Sequence, residues 1–283
     1  VPEEVAADQL EQVQRTCPIC DRDNQDQPPH KLSRGGWQLK CCEQCSMVYL
    51  ENAPSDESLE SDHAWEKSIQ DERNRRREHR EVHYAVSDTV KSLKRMARGK
   101  GVRVKERGFI TKHVPSGNVL DLGCGDGRTV LHLEDRYIPF GIEISDGLAA
   151  DAAAGMEPRG GRVIRAPSFE GLASFGDDFF DGAMLRAYLE HETRPMPVMK
   201  RLLTKLKPGG RIIIKVPNFA SLNRVVKRAG WCGLRFPDHV NYFTPRTLRR
   251  LVETAGFEVA DFGLLLRQPT SDNMWLVAER PTR

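Results

Sequence analysis

The stretch Val119-Leu120-Asp121-Leu122-Gly123-Cys124-Gly125-Asp126-Gly127-Arg128 decides how the chain is read. A short apolar strand runs into three glycines at alternate positions. Such a turn bends the backbone sharply and lets a ligand approach its N–H and C=O groups, which a Cβ would obstruct. An acid, Glu143, lies near the end of the next apolar run, 137–144, and strand and helix signals alternate beyond it. That alternation predicts an α/β fold, a doubly wound and mostly parallel sheet.

Nicotinamide and flavin sites also place a glycine turn after a strand, but they use G-x-G-x-x-G. Here the spacing is Gly123-x-Gly125-x-Gly127 behind Asp121. Glu143 would suit a ribose diol in either class, so the turn discriminates and the acid does not. The block resembles motif I of the class I S-adenosylmethionine-dependent methyltransferases, and the likeness extends to about Glu279. The resemblance implies a Rossmann-like sheet of seven strands whose last pair is antiparallel. It also implies a loop that holds the methionine end of the cofactor and an acid that bonds its ribose. Carried onto this chain, the cofactor-binding residues are Asp121, Gly123, Cys124, Gly125, Glu143, Ile144 and Leu185. Many relatives clasp the adenine with an acid after the third strand. This chain has Ala166-Pro167-Ser168-Phe169 there, so Ser168 or a backbone amide is expected to substitute.

Outward from the motif, helices are expected over 127–135, 146–154, 196–206 and 245–255, and strands over 162–165, 179–186 and 211–216. A final antiparallel pair is expected over 257–264 and 274–279. Lys207-Pro208-Gly209-Gly210 reads as a helix stop, and Thr244-Pro245 as a capped helix start. The segment 220–229 has Leu222, Val225, Val226 and Ala229 on one face and reads as a cap helix over the site.

A donor that already carries an activated methyl needs no covalent nucleophile, so positioning dominates and a base assists. Ala187-Tyr188-Leu189-Glu190-His191-Glu192 resembles the family's leucine-glutamate-histidine segment at the catalytic rim. Residues 238–245 are similar to the histidine-x-x-x-phenylalanine-threonine-proline segment of small-molecule methyltransferases. His191 and His239 are therefore the candidate bases, each with an alternative role in orienting a loop. Arg186, Tyr188, Trp231 and Tyr242 are candidate substrate contacts, and each reads equally well as packing. Cys124 reads as a small buried filler and not a nucleophile.

Before the motif, Cys17-Pro18-Ile19-Cys20 and Cys42-Glu43-Gln44-Cys45 form two knuckles. Four thiolates at such spacing suit tetrahedral Zn²⁺, and so small a piece has too little core to fold unaided. Cys41 competes with Cys42, but the step to Cys45 matches the first knuckle. The expected organisation is an acidic, frayed leader over 1–16 within a zinc ribbon at 1–50, then a connector and basic amphipathic helix at 51–107. A methyltransferase domain follows at 108–283, with a cap insertion at about 217–245. Removing the metal is expected to unfold the ribbon and leave the cofactor domain able to bind.

The 283 residues carry a net charge of +3, too balanced to indicate a nucleic-acid protein by composition alone. No run approaches eighteen apolar residues, and paired C-x-x-C in place of a disulfide pattern points to a reducing, cytoplasmic setting. The favoured function is methyl transfer to a small acceptor such as a sugar, polyol or quinone, with structural Zn²⁺. The alternatives are an rRNA guanine methyltransferase, which the basic run 73–107 favours, a non-catalytic binding protein, and a nicotinamide reductase.

Overall fold

The computed structural model describes residues 7–55 and 104–282. The connector beyond residue 55 and nearly all of the basic helix expected at 71–107 lie outside the described residues. Within the N-terminal part, β1 (Gln12–Gln14) pairs antiparallel with β4 (Asn52–Pro54), and β2 (Leu39–Cys41) with β3 (Val48–Leu50). The leader expected to fray is thus ordered from Ala7. Arg15 is 9% exposed, and strand pairing with β4 overrides the polar composition of 11–16.

Helix α1 (Val104–His113) leads into β5 (Gly117–Leu122), β6 (Tyr137–Glu143), α2 (Asp146–Met156), β7 (Arg162–Arg165), α3 (Ser168–Ala173) and β8 (Phe180–Arg186). Then come α4 (Pro195–Lys205), β9 (Leu206–Pro217), α5 (Leu222–Lys227), β10 (Asn241–Tyr242), α6 (Pro245–Thr254), β11 (Glu258–Asp261) and β12 (Asn273–Glu279). Seven strands form one sheet in the order β11-β12-β9-β8-β5-β6-β7. The pairs among β5 to β9 are parallel, whereas β12 runs antiparallel to both β9 and β11. The central strands are buried on both faces, as Ile212, Ile213 and Ile214 show at 0% exposure, which is what helices on both sides of a parallel sheet require. The strand order reverses at β5, and in open α/β sheets ligands bind at that switch point, beyond the carboxyl ends of the strands.

Two expected elements differ. Residues 127–135 form successive turns and no α-helix. Gly127 is left-handed at φ +75°, β-branched Thr129 and Val130 follow, and only fourteen residues separate Leu122 from Tyr137, so little chain remains for a helix after the turn. The helix does end at Lys205, just before Lys207 to Gly210 as read, but those residues then lie within β9 and not in a loop. The register between Phe180↔Leu206 and Gly182↔Arg211 shifts there, and the proline and glycines bulge out of the ladder.

The N-terminal part does not stand apart. β10, from the far end of the chain, extends its sheet by pairing with β3. Cys17, Cys45 and Tyr49 share one hydrophobic core with Leu189, Val216 and Leu248. The Arg15 guanidinium donates to the Thr193, Leu50 and Val240 carbonyls at 3.0–3.1 Å and to Asn241 Oδ1 at 2.9 Å. Asn241 in turn donates to the Leu189 and Glu192 carbonyls at 2.8 and 2.7 Å. These contacts argue against the expectation that the ribbon unfolds without disturbing the larger domain. Arg15→Ala is expected to lower stability by about 3–5 kcal/mol, because buried acceptors lose charge-assisted donors. An unchanged denaturant midpoint would show that water replaces the guanidinium at no cost.

Candidate functional site

At the switch point, Gly123, Gly125 and Gly127 have φ of +69°, +54° and +75°, a region that other residues enter only with strain. The Gly123 and Cys124 N–H groups donate to the Ile142 carbonyl at 3.0 and 3.1 Å, which ties the turn to β6. Glu143, 5% exposed, receives three backbone N–H groups: Gly125 on Oε2 at 2.7 Å, and Ile144 and Ser145 on Oε1 at 3.0 Å each. Three of a carboxylate's roughly four acceptor positions are thereby used, so its orientation is set and capacity remains on Oε2.

Facing this turn is the loop that follows β8. Ala187 is left-handed at φ +52°, unusual for a residue with a Cβ, and its N–H donates to the Lys215 carbonyl at 2.9 Å. The reversal brings Tyr188 across the glycine turn. A Cβ on Gly123 would lie 2.9 Å from Tyr188 Cδ2, whereas one on Gly125 would meet no atom within 4 Å among the described residues. The Tyr188 hydroxyl donates to the Glu192 carboxylate.

A cavity of about 210 Å³ lies between the two loops. Gly123, Ile142, Glu143 and Ile144 form one wall, 166–170 another, and Tyr188, His191, Glu192, Thr193, Arg194 and Asp238 the far end. Of the residues singled out in the sequence, Gly123, Glu143, Ile144, Ser168, Tyr188 and His191 line it together. Asp121 and Leu185 are buried in the strands beneath, at 2% and 0% exposure. Cys124 is packed beneath β6, its Sγ in the space a Cβ of Gly141 would need. Burial and the charges of Asp121 and Glu143 push its thiol up, as befits a filler. Gly125 reaches the site through its N–H on Glu143. Arg186 ends β8 outside the lining.

Trp231 and Tyr242, candidate substrate contacts in the sequence, belong to a second core against the N-terminal part with Trp37, Leu39 and Phe236. The Trp231 indole N–H donates to Asp272 at 2.7 Å. The α-helix within 220–229 is α5, followed by a 3-10 turn at Arg228–Gly230, and its Leu222, Val225 and Val226 are exposed at 54%, 54% and 80%. None of them lines the cavity, so the cap expected there does not cover it.

His191 and His239 meet edge to face, with ring centroids 4.7 Å apart. His191 Nδ1 bonds the Asp238 carbonyl at 2.7 Å, and His239 Nδ1 the Gly233 carbonyl at 2.8 Å. Burial, then the Arg235 charge, holds His191 down to about 3. Burial, His191 and Arg235 hold His239, 5% exposed, well below the ordinary imidazole range. Glu190, 2% exposed, is pushed up to about 8 by burial. Sequence reading passed over Glu190, Glu192, Asp238, Arg15 and Asn241. The glutamates stand inside a segment already noted for its likeness. The contacts of Arg15 with Thr193 and Asn241 span 178 and 226 residues, which no local pattern announces.

The four knuckle cysteines converge as expected. Sγ separations are 3.4 Å for Cys17–Cys45, 3.5 Å for Cys20–Cys42 and 3.8 Å for Cys20–Cys45. Corners of a tetrahedron with Zn–S bonds of ~2.3 Å lie ~3.8 Å apart. The knuckles are built alike. Asp21 N–H donates to the Cys17 carbonyl, as Ser46 N–H does to Cys42, and both Asp21 and Ser46 are left-handed. Cys41 is exposed and outside the cluster, which decides for Cys42. The contact between Cys17 and Cys45 pushes the Cys17 thiol up and holds Cys45 down. Among the described residues no helix is long and apolar enough to cross a membrane.

A family described as "Methyltransferase domain" matches residues 62–261. The chain is 27% identical over 175 residues to a ubiquinone biosynthesis O-methyltransferase of Idiomarina loihiensis, covering 56% of this chain and 70% of that protein. It is 26% identical over 149 residues to the uncharacterized protein MJ1123 of Methanocaldococcus jannaschii, covering 53% and 68%. The solved 1,6-didemethyltoxoflavin-N1-methyltransferase of Burkholderia thailandensis superposes with a TM-score of 0.50 at 20% identity, over 72% of this chain and 90% of that one.

Proposed function

The chain belongs to the methyltransferase domain family, and from that premise we propose that it moves the methyl group of S-adenosylmethionine to a small-molecule acceptor of the quinone, sugar or polyol kind. The observation that carries the reading is the cavity at the switch point, with Glu143 on one wall and Tyr188, His191 and Glu192 at the far end. The residues fit the cofactor. A turn open to added volume at Gly125 suits its methionine end, the remaining acceptor capacity of Glu143 a ribose hydroxyl, and 166–168 its adenine. When bound, the sulfonium supplies a methyl already activated for in-line transfer.

The chain's own task is then to hold the acceptor and exclude water. Orientation of this kind contributes on the order of 7–11 kcal/mol. His191, held near a pKa of 3, is a weak proton acceptor at neutral pH. Its contribution is therefore contact and orientation, with His239 behind it as a positioning residue. The four thiolates would hold Zn²⁺ in a closed set that offers no open position, a structural role. A cavity of about 210 Å³, of the size of a small ligand, supports a small acceptor over RNA.

The test is transfer of labelled methyl from S-adenosylmethionine. Dihydroxy-aromatic compounds, sugars and ribosomal RNA are offered in parallel, and cofactor binding is followed by calorimetry. Label on a small acceptor is the expected result. Label on RNA alone, with affinity falling steeply between low and moderate salt, would replace this reading with the RNA one. Absence of heat at millimolar cofactor would remove catalysis altogether.

A further inference from the structure

Behind the far wall of the cavity lie three groups that packing alone does not explain. One donor atom each from Glu190, His191 and His239 lies within 4.8 Å of the others. Glu190 is 2% exposed, and one oxygen of its carboxyl group, Oε2, has no hydrogen-bond partner among the described residues. A buried carboxylate oxygen without a donor costs free energy that folding ordinarily avoids. It is oriented toward two imidazoles, not toward a lysine or arginine bonded to it.

Both imidazoles are prepared in the same way. Each bonds a backbone carbonyl through Nδ1, Asp238 for His191 and Gly233 for His239. Because a carbonyl only accepts, Nδ1 carries the proton, and the lone pair is placed on Nε2. This is the outer support that metal-ligating histidines characteristically have. The Arg235 guanidinium donates to Asp238 at 2.6 Å, and its charge reaches Glu190 together with those of Lys215 and Arg186 without a hydrogen bond to Oε2.

We propose that Glu190, His191 and His239 form a second metal site, distinct from the four cysteines, that takes a divalent transition-metal cation. Two imidazoles and one carboxylate suit Zn²⁺, Fe²⁺, Co²⁺ or Ni²⁺ better than Mg²⁺ or Ca²⁺, which prefer oxygen donors. Three protein ligands leave coordination positions for water or for another oxygen. His191 lines the cavity, so the ion sits at its edge. Resting on the function proposed above, that oxygen is the acceptor's own, and the acceptor class narrows to compounds bearing a hydroxyl or carbonyl able to bind the metal. The ring nitrogens expected from the sequence to remove a proton would then hold a cation.

The test counts metal in the full chain. Cys41 and Cys232 are exposed and lie outside the cluster, so a Cys41→Ser/Cys232→Ser background removes stray thiols. One sample is saturated with Zn²⁺, desalted and measured by mass spectrometry; a second, loaded with a single equivalent of Zn²⁺ to fill the cysteine site, is titrated with Co²⁺. Two equivalents of metal are expected in this background. His239→Gln and Glu190→Gln should each retain one and weaken the second binding event at least about tenfold. One equivalent in the unsubstituted background overturns the proposal, and that count decides even where a variant fails to fold. Two equivalents in both variants, with Co²⁺ affinity unchanged, overturn it equally. Calorimetry with S-adenosylhomocysteine on the same samples separates the two readings. Cofactor binding with a single metal leaves the methyltransferase standing without this site. Two metals without cofactor binding leave the site standing without the transferase.

Discussion

Gly125→Val is expected to bind S-adenosylmethionine at least about 100-fold more weakly than the parent chain, a loss of roughly 2.7 kcal/mol by titration calorimetry. Two costs combine. Valine at φ +54° is a β-branched residue in the left-handed region, which costs about 1–3 kcal/mol of folded stability. The larger cost falls on the ligand, because an added Cβ points into space where no described residue comes within 4 Å. On the function proposed above, that space is where the methionine end of the cofactor would lie. Gly123→Ala makes the contrast. Its Cβ would press on the Tyr188 ring at 2.9 Å, so it should disturb the protein before any ligand arrives. A Gly125→Val chain with a modest fall in unfolding midpoint and affinity within threefold of the parent would show that the methionine end lies elsewhere.

The strands and helices from β5 to β12 were legible along the chain from alternating apolar runs, glycine and proline stops, and a Thr244 cap closed by Thr247 in a reciprocal box, while the antiparallel last pair came from the resemblance. The glycine turn and Glu143 were legible for the same reason. The cysteine cluster was too, because a metal's geometry is written in the spacing of its ligands. What escaped depends on contacts between distant segments. Residues 12–14 have no strand signal of their own and pair because Asn52–Pro54 offers an edge. Trp231 and Tyr242 look like pocket aromatics by composition, yet the N-terminal part turns them into core. The helix expected at 127–135 failed where a resemblance supplied a length that these fourteen residues lack. His191 and His239 were found, but sequence cannot show burial, and burial separates an imidazole that takes protons from one held neutral.

Cys45→Ser, or stripping the cysteine site with a strong chelator, is expected to lower the unfolding midpoint by roughly 10–20 °C and to weaken cofactor binding together with it. A structural Zn²⁺ site contributes about 10–16 kcal/mol to the folding of small metallo-domains. If even ~5 kcal/mol of that reaches a chain of this size, the shift follows at about 2–4 °C per kcal/mol. The coupling to the cofactor is the more informative half. Cys17 and Cys45 pack in the same core as Leu189, and Arg15, two residues before Cys17, holds the Thr193 and Val240 carbonyls. β3, three residues after Cys45, pairs with β10. Val240 and Asn241 N–H groups then donate to the Glu190 carbonyl at 2.8 and 3.1 Å. Losing the knuckles therefore loosens 189–193 and 238–241, the segments that close the far end of the cavity. Two separate unfolding steps, with calorimetric cofactor affinity unchanged by the chelator, would show instead that β10 and its loop hold their place without the ribbon.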